Sequence, residues 1–271
     1  MLDNNKGKYR LVFSDIDGTL LDSSHRIGEK TRLAVRVLER EGVPFVLVSA
    51  RMPEGIFPIQ DLLGIRAPIV SYSGGLILDS ERRVLDSQGF PLSLALEIKE
   101  KITRQWQDIC VNAYAGSLWL AEDARNPWVA AESRIVGFAP KQGVLSREWV
   151  PDGMVHKLMC LGEAKRIAGL EQELRGQYPN LSISRSKPEY LEIMSKSAVK
   201  SHGVEFLCSA LGIDRSASAA FGDQFNDVDM LLAAGLGVAM GNAPQGVKEK
   251  ADAVTADNDH EGLLCMLEQL F

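Results

Sequence analysis

Asp15 and Asp17 stand two residues apart in the stretch SDIDGTLLD, at the end of the apolar run Leu11-Val12-Phe13. In extended chain, residues two apart project to the same side, so these carboxylates repel unless a cation or a shared proton lies between them. A third acid, Asp223, ends the apolar run SAAF in the stretch GDQFND. Three convergent carboxylates make an oxygen site for a hard cation. Mg²⁺ suits it, because that ion takes few protein carboxylates and keeps room for water and phosphate. Ser49, at the end of the run VPFVLVS, offers a hydroxyl, and the turn amides near Ile16, Asp17 and Ala50 can face an anion. Lys200 opens the helical pattern KSHGVEF and supplies a fixed positive charge. Two unit charges about 4 Å apart interact by about 4 kcal/mol at an effective dielectric near 20. Cation, lysine and amide donors around one carboxylate are what phosphoryl transfer requires, since that chemistry is mostly positioning and charge neutralisation. A carboxylate can also be the nucleophile. On this reading Asp15 attacks phosphorus and Asp17 handles protons.

These residues need elements that bring them to one place. Gly18 turns the chain out of the first strand. The segment KTRLAVRVLEREG sets Ala34, Val35 and Leu38 on one helical face and stops at Gly42. A second strand ends at Ser49, a short helix follows from Pro53 to about Leu63, and PIVSY is a third strand. This βαβαβ order implies a Rossmann-like parallel sheet with helices on both faces. In such sheets the ligand crevice lies beyond the carboxyl ends of the strands, where Asp15, Ser49 and Asp223 all fall. After Gly75 the pattern changes. LILDSERRVL reads as a hairpin, a helix runs from Pro91 to about Asp108, and CVNAYAGSLWLA is a hairpin turning at Ala115-Gly116. An inserted α+β cap domain is expected over 84–190, inside a discontinuous α/β core formed by 1–83 and 191–271.

Composition narrows the partners. The chain has 271 residues, 45% hydrophobic and 24% charged, with a net charge of −6, an acidic balance that argues against nucleic acid and anionic membranes. No apolar run reaches the roughly 18 residues of a membrane span, and the first residues lack the apolar segment of a signal peptide. A cytoplasmic protein is expected, monomer or homodimer. The four cysteines, Cys110, Cys160, Cys208 and Cys265, lack metal-binding spacing and are expected to be reduced core residues.

The stretches DIDGTLLD, VSAR, SAVKSHGVEFL and GDQFNDVDML resemble, in order, the four motifs of the haloacid dehalogenase superfamily of phosphohydrolases. The insertion and the late GLGVAMGNA resemble its Cof-like, type IIB subfamily. The resemblance implies Asp15 as nucleophile and Asp17 as general acid/base. It implies Mg²⁺ held by Asp15, the Asp17 backbone carbonyl and Asp223, with Ser49, Lys200 and Asn226 on phosphate. Asp227 would orient Lys200 or a metal-bound water. Many relatives carry Asn-Gly-Ala where this chain has Ser73-Gly74-Gly75, which bears on substrate preference rather than on the chemistry.

The expected activity is hydrolysis of small phosphate monoesters, sugar phosphates or similar metabolites, through an aspartyl-phosphate. A hexose-phosphate mutase and a catalytically idle metabolite-binding protein are the alternatives. Specificity contacts are expected in the insertion near Tyr114–Trp119 and Ser184–Lys187. The four histidines show no triad or metal spacing, and Arg51 reads as a structural ion-pair partner.

Overall fold

A computed structural model describes residues 7–271. The chain divides into two compact units, one formed by residues up to Asp86 together with Val199–Phe271, the other by Ser87–Ala198.

The first unit is built on an eight-stranded sheet. Its six parallel strands lie in the spatial order Ala253–Val254, Leu236–Ala239, Ser218–Gly222, Leu11–Asp15, Phe45–Val48 and Ile69–Ser71. Leu76–Leu78 then pairs antiparallel with Ile69–Ser71, and Val84–Ser87 closes the edge. From the central strand the chain winds first toward Phe45–Val48 and returns later on the other side through Ser218–Gly222. The strand order therefore reverses beside Leu11–Asp15, the place where doubly wound sheets hold ligands. The five residues of that strand are all buried, as a strand covered on both faces must be.

Register sets the heights of the acids. Asp15 lies opposite Val48, and Ser14 opposite Phe221, so Ser49 and Asp223 follow within two residues of the same level. The helices obey the period of their apolar residues. Glu29–Arg40 buries Thr31, Val35 and Leu38, and Gly42 beyond its end takes the left-handed conformation expected of it. Lys200–Ala210 packs Val204, Leu207 and Cys208 into a core with Phe13, Val46 and Ala220.

The second unit is a six-stranded sheet whose order runs from Leu181–Lys187 through Tyr190–Ser195, Lys157–Leu161, Cys110–Ala115 and Leu118–Ala121 to Lys141–Gln142. The helices Leu92–Gln105 and Ala164–Gln177 bury Ile98, Ile102, Ile167 and Leu170 against its apolar face. The helix Pro127–Val136, which Asn126 caps by accepting the Trp128 N–H, is an addition to the elements expected from the sequence. The helix expected from Pro91 to about Asp108 spans Leu92–Gln105 and stops short of that end.

Two expectations need correction. All four cysteines are free thiols, but only Cys160 and Cys208 are buried; Cys110 is half-buried and Cys265 exposed. Trp119 is buried, stacked on Tyr114 at 5.7 Å and donating Nε1–H to Asn112, so it is packing rather than a reach toward substrate. Ser184–Lys187 is exposed and lines an open surface depression with Glu171 and Arg175. No helix among the described residues is long and apolar enough to cross a membrane.

Candidate active site

Asp15 is the last residue of the central strand and is buried. Lys200 Nζ donates to its Oδ1 at 2.5 Å and to Asp227 Oδ1 at 2.5 Å. The other oxygen of Asp227 accepts the backbone N–H groups of Asp223 (3.0 Å) and Gln224 (2.8 Å). Asp227 thus fixes both the lysine and the turn that presents Asp223. Asp223 Oδ1 accepts from Thr19 Oγ1 at 3.0 Å, and its Oδ2 accepts from Gln224 Nε2 at 2.9 Å and Asn242 Nδ2 at 3.3 Å.

One oxygen each from Asp15, Asp223 and Asp227 lies within 4.8 Å of the others, and all three residues are buried. Three carboxylates facing one ammonium leave two negative charges without compensation. Burial, the charges of Asp227 and Asp223 adding to it against the pull of Lys200, pushes Asp15 up to about 7. Burial also raises Asp223, against the hydrogen bonds from Gln224 and Thr19. Burial disfavours the charge on Lys200, but Asp15 and Asp227 outweigh it and its pKa is raised. A divalent cation fits this donor set by both charge and chemistry.

Two glycines let these groups approach. Gly18 has φ of +82°, and a Cβ there would stand 2.5 Å from Asp223 Oδ2. A Cβ on Gly222 would stand 2.4 Å from that of Asp227.

Ser49 is buried beyond the second strand, and its Oγ accepts the Arg51 N–H at 3.2 Å, which leaves its own O–H to donate elsewhere. Ala50 follows half-buried, and Ile16 is fully buried after Asp15. The neighbouring Tyr72, Ser73 and Gly74 carry φ values of +49°, +53° and +100°. The Ser73 N–H on Ser49 O (2.9 Å) and the Tyr72 N–H on Arg51 O (3.1 Å) hold that left-handed segment. Such conformations cost about 1–3 kcal/mol each in non-glycine residues and concentrate at functional sites.

The structure does not gather everything in one cluster. The Asp17 carboxylate is turned to Arg51 and is not among the clustered acids. Asn226 is exposed in the single turn Phe225–Asp227, outside the hydrogen bonds that hold Asp223. Thr19, Gln224 and Asn242 were missed. Gln224 sits inside a quoted motif and Thr19 directly after Gly18, but neutral side chains carry no charge pattern to mark them.

A family model of haloacid dehalogenase-like hydrolases matches residues 12–267. The chain is 39% identical over 265 residues to a Haemophilus influenzae protein provisionally named a phosphatase, covering 97% of this chain and 98% of that one. It is 28% identical over 285 residues to the phosphatase YwpJ of Bacillus subtilis, with 96% and 99% covered. A crystal structure from Thermotoga maritima superposes with a TM-score of 0.89 at 28% identity, covering 97% of this chain and 98% of that chain. The chain belongs to the haloacid dehalogenase-like hydrolases, in their Cof-like, type IIB branch. It is an enzyme of that family, whose relatives described above carry phosphatase names.

Proposed function

We propose that the protein is a Mg²⁺-dependent phosphatase that hydrolyses small phosphate monoesters through an aspartyl-phosphate on Asp15. The observation that carries this reading is the buried Asp15 carboxylate at the strand end, held by Lys200 beside Asp223. A nucleophilic carboxylate needs its charge stabilised without losing its free oxygen. Lys200 engages Oδ1, which leaves Oδ2 for attack on phosphorus.

Asp15, Asp223 and the Asp17 backbone carbonyl would hold Mg²⁺. When bound, that ion would offset the excess negative charge and draw in a phosphate ester. The Ser49 hydroxyl, the amides near Ile16 and Ala50, and Lys200 would bind the remaining phosphoryl oxygens. Asp17 would give its proton to the departing alcohol and take one from the water that opens the acyl phosphate. The second unit, 87–198, would serve as a cap that excludes bulk water and supplies contacts to the rest of the substrate. Its chemistry suits a small phosphorylated metabolite, and nothing in the acidic charge balance favours nucleic acid.

The test is phosphate release from a panel of phosphorylated sugars, nucleotides and cofactors, with Mg²⁺ and with chelator. Release that needs the metal supports the reading. Undiminished release in chelator contradicts the metal, and no release from any ester contradicts the activity.

A further inference from the structure

Asp17 lies only two residues from Asp15, yet both its oxygens are taken elsewhere. Arg51 Nε donates to Oδ2 at 2.9 Å and Arg51 Nη2 to Oδ1 at 2.5 Å. Among the described residues the His25 ring also faces this carboxylate, its Nδ1 4.0 Å away. Arg51 is itself well fixed. Its Nη1 donates to Gly55 O at 3.3 Å, and its carbonyl accepts from Ser71 Oγ at 2.7 Å and the Tyr72 N–H at 3.1 Å.

Stability does not account for this arrangement. The two side chains are 36% and 47% exposed, and an ion pair so open to water contributes little. A planar guanidinium gripping both oxygens does something a point charge cannot. It fixes the plane and the direction of the carboxylate. The strand end has already placed Asp15 in the acid cluster; Arg51 keeps the second carboxylate out of it.

We infer that Arg51 is the positioning residue of Asp17, holding the acid/base carboxylate in one orientation clear of the nucleophile. This rests on the phosphatase reading. In the first step the bond from Asp15 oxygen to phosphorus forms and the bond from phosphorus to the ester oxygen breaks. A proton passes from Asp17 to that departing oxygen. In the second step the oxygen of water bonds to phosphorus, the Asp15 oxygen leaves, and the proton of water returns to Asp17. Arg51 touches none of the reacting atoms and acts only through Asp17.

The test is a double-mutant cycle on Arg51 and Asp17, with an alkyl phosphate and nitrophenyl phosphate as substrates. Arg51→Ala should lower kcat on the alkyl ester by about 10- to 100-fold and leave KM within about twofold, a part of the roughly 10²–10⁴ that a general acid/base supplies. In rapid-quench measurements its first step should be slowed less with nitrophenyl phosphate, whose leaving group departs without a proton. Arg51→Lys, which retains one donor, should recover part of the loss. Arg51→Ala combined with Asp17→Asn should be no slower than Asp17→Asn alone. Losses that multiply in the double variant, or equal slowing of both esters, would overturn the assignment while leaving the phosphatase reading in place. A wild-type protein that releases phosphate from neither ester would overturn both.

Discussion

Asp227 holds Lys200 by one carboxylate oxygen at 2.5 Å and the backbone of the Asp223 turn by the other. A single buried acid therefore couples the lysine beside Asp15 to the carboxylate on the adjacent strand. Lys200→Met should leave Asp15 and Asp227 facing one another without their shared cation. Breaking such a buried pair costs about 3–5 kcal/mol. Denaturant unfolding in metal-free buffer at neutral pH measures this, and an unchanged midpoint would show that Lys200 does not neutralise the pair.

Asn242 predicts a separable effect on the metal. It donates to Asp223 Oδ2 at 3.3 Å and to Gly18 O at 2.9 Å, and its own oxygen accepts the Asn258 N–H at 3.2 Å. Loss of a partner that orients a ligand lowers metal affinity by about 10- to 100-fold. Asn242→Ala should therefore weaken Mg²⁺ binding in calorimetry by that factor, with little change in thermal unfolding of the metal-free protein. Wild-type affinity in the variant would contradict the positioning role.

Legibility in the sequence differs from residue to residue. Asp15, Ser49 and Asp223 could be read because each ends an apolar run, and a parallel sheet brings strand ends together whatever the loops do. Lys200 could be read from its place at a helix start. The grip of Arg51 on Asp17 was foreseen only as an unassigned ion pair. Direction in a bidentate pair depends on side-chain geometry that spacing does not encode. Thr19 and Asn242 reach Asp223 across 204 and 19 residues, and nothing local marks either contact. In the second unit, Trp119 beside a turn looked accessible, whereas its burial depends on neighbours far off in sequence, such as the edge-on ring of Phe138. The chain passes from one unit to the other at Asp86/Ser87 and Ala198/Val199, so the hairpin through Val84 belongs mostly to the first unit.

Gly18→Ala tests the close approach at the first turn. The left-handed conformation alone costs about 1–3 kcal/mol for a non-glycine residue. A Cβ at 2.5 Å from Asp223 Oδ2 must also push that carboxylate aside. The variant should lose both stability and Mg²⁺ affinity, read by unfolding and calorimetry. A protein as stable as wild type with unaltered metal binding would contradict the crowding.

His156 predicts a pH dependence away from the acids. It is buried in the second unit, its Nδ1 accepts the Gly116 N–H at 3.0 Å, and its Nε2 lies 3.1 Å from Ser87 Oγ. Burial, with Asp152 opposing, lowers its pKa to about 4. The unfolded chain, with an imidazole near 6.5, then binds the proton more readily than the folded one. The stabilisation is fully present above about pH 6.5 and is lost as pH falls toward 4, up to about 3 kcal/mol in all. Urea unfolding from pH 7.5 to 4 should show this slope in the wild type and a flatter one in His156→Gln. Parallel slopes would show that His156 is not held neutral.

Trapping the phosphoryl group on Asp15 separates covalent catalysis from direct attack by water. Enzyme mixed with a ³²P-labelled ester and Mg²⁺, then quenched in acid within milliseconds, should retain label that hydroxylamine releases, as it does from an acyl phosphate. Peptide mapping should place the label on Asp15, and Asp15→Asn should take up none and turn over no ester. A wild type that hydrolyses the ester without label on Asp15, together with an Asp15→Asn protein that keeps its turnover, would rule out the aspartyl-phosphate.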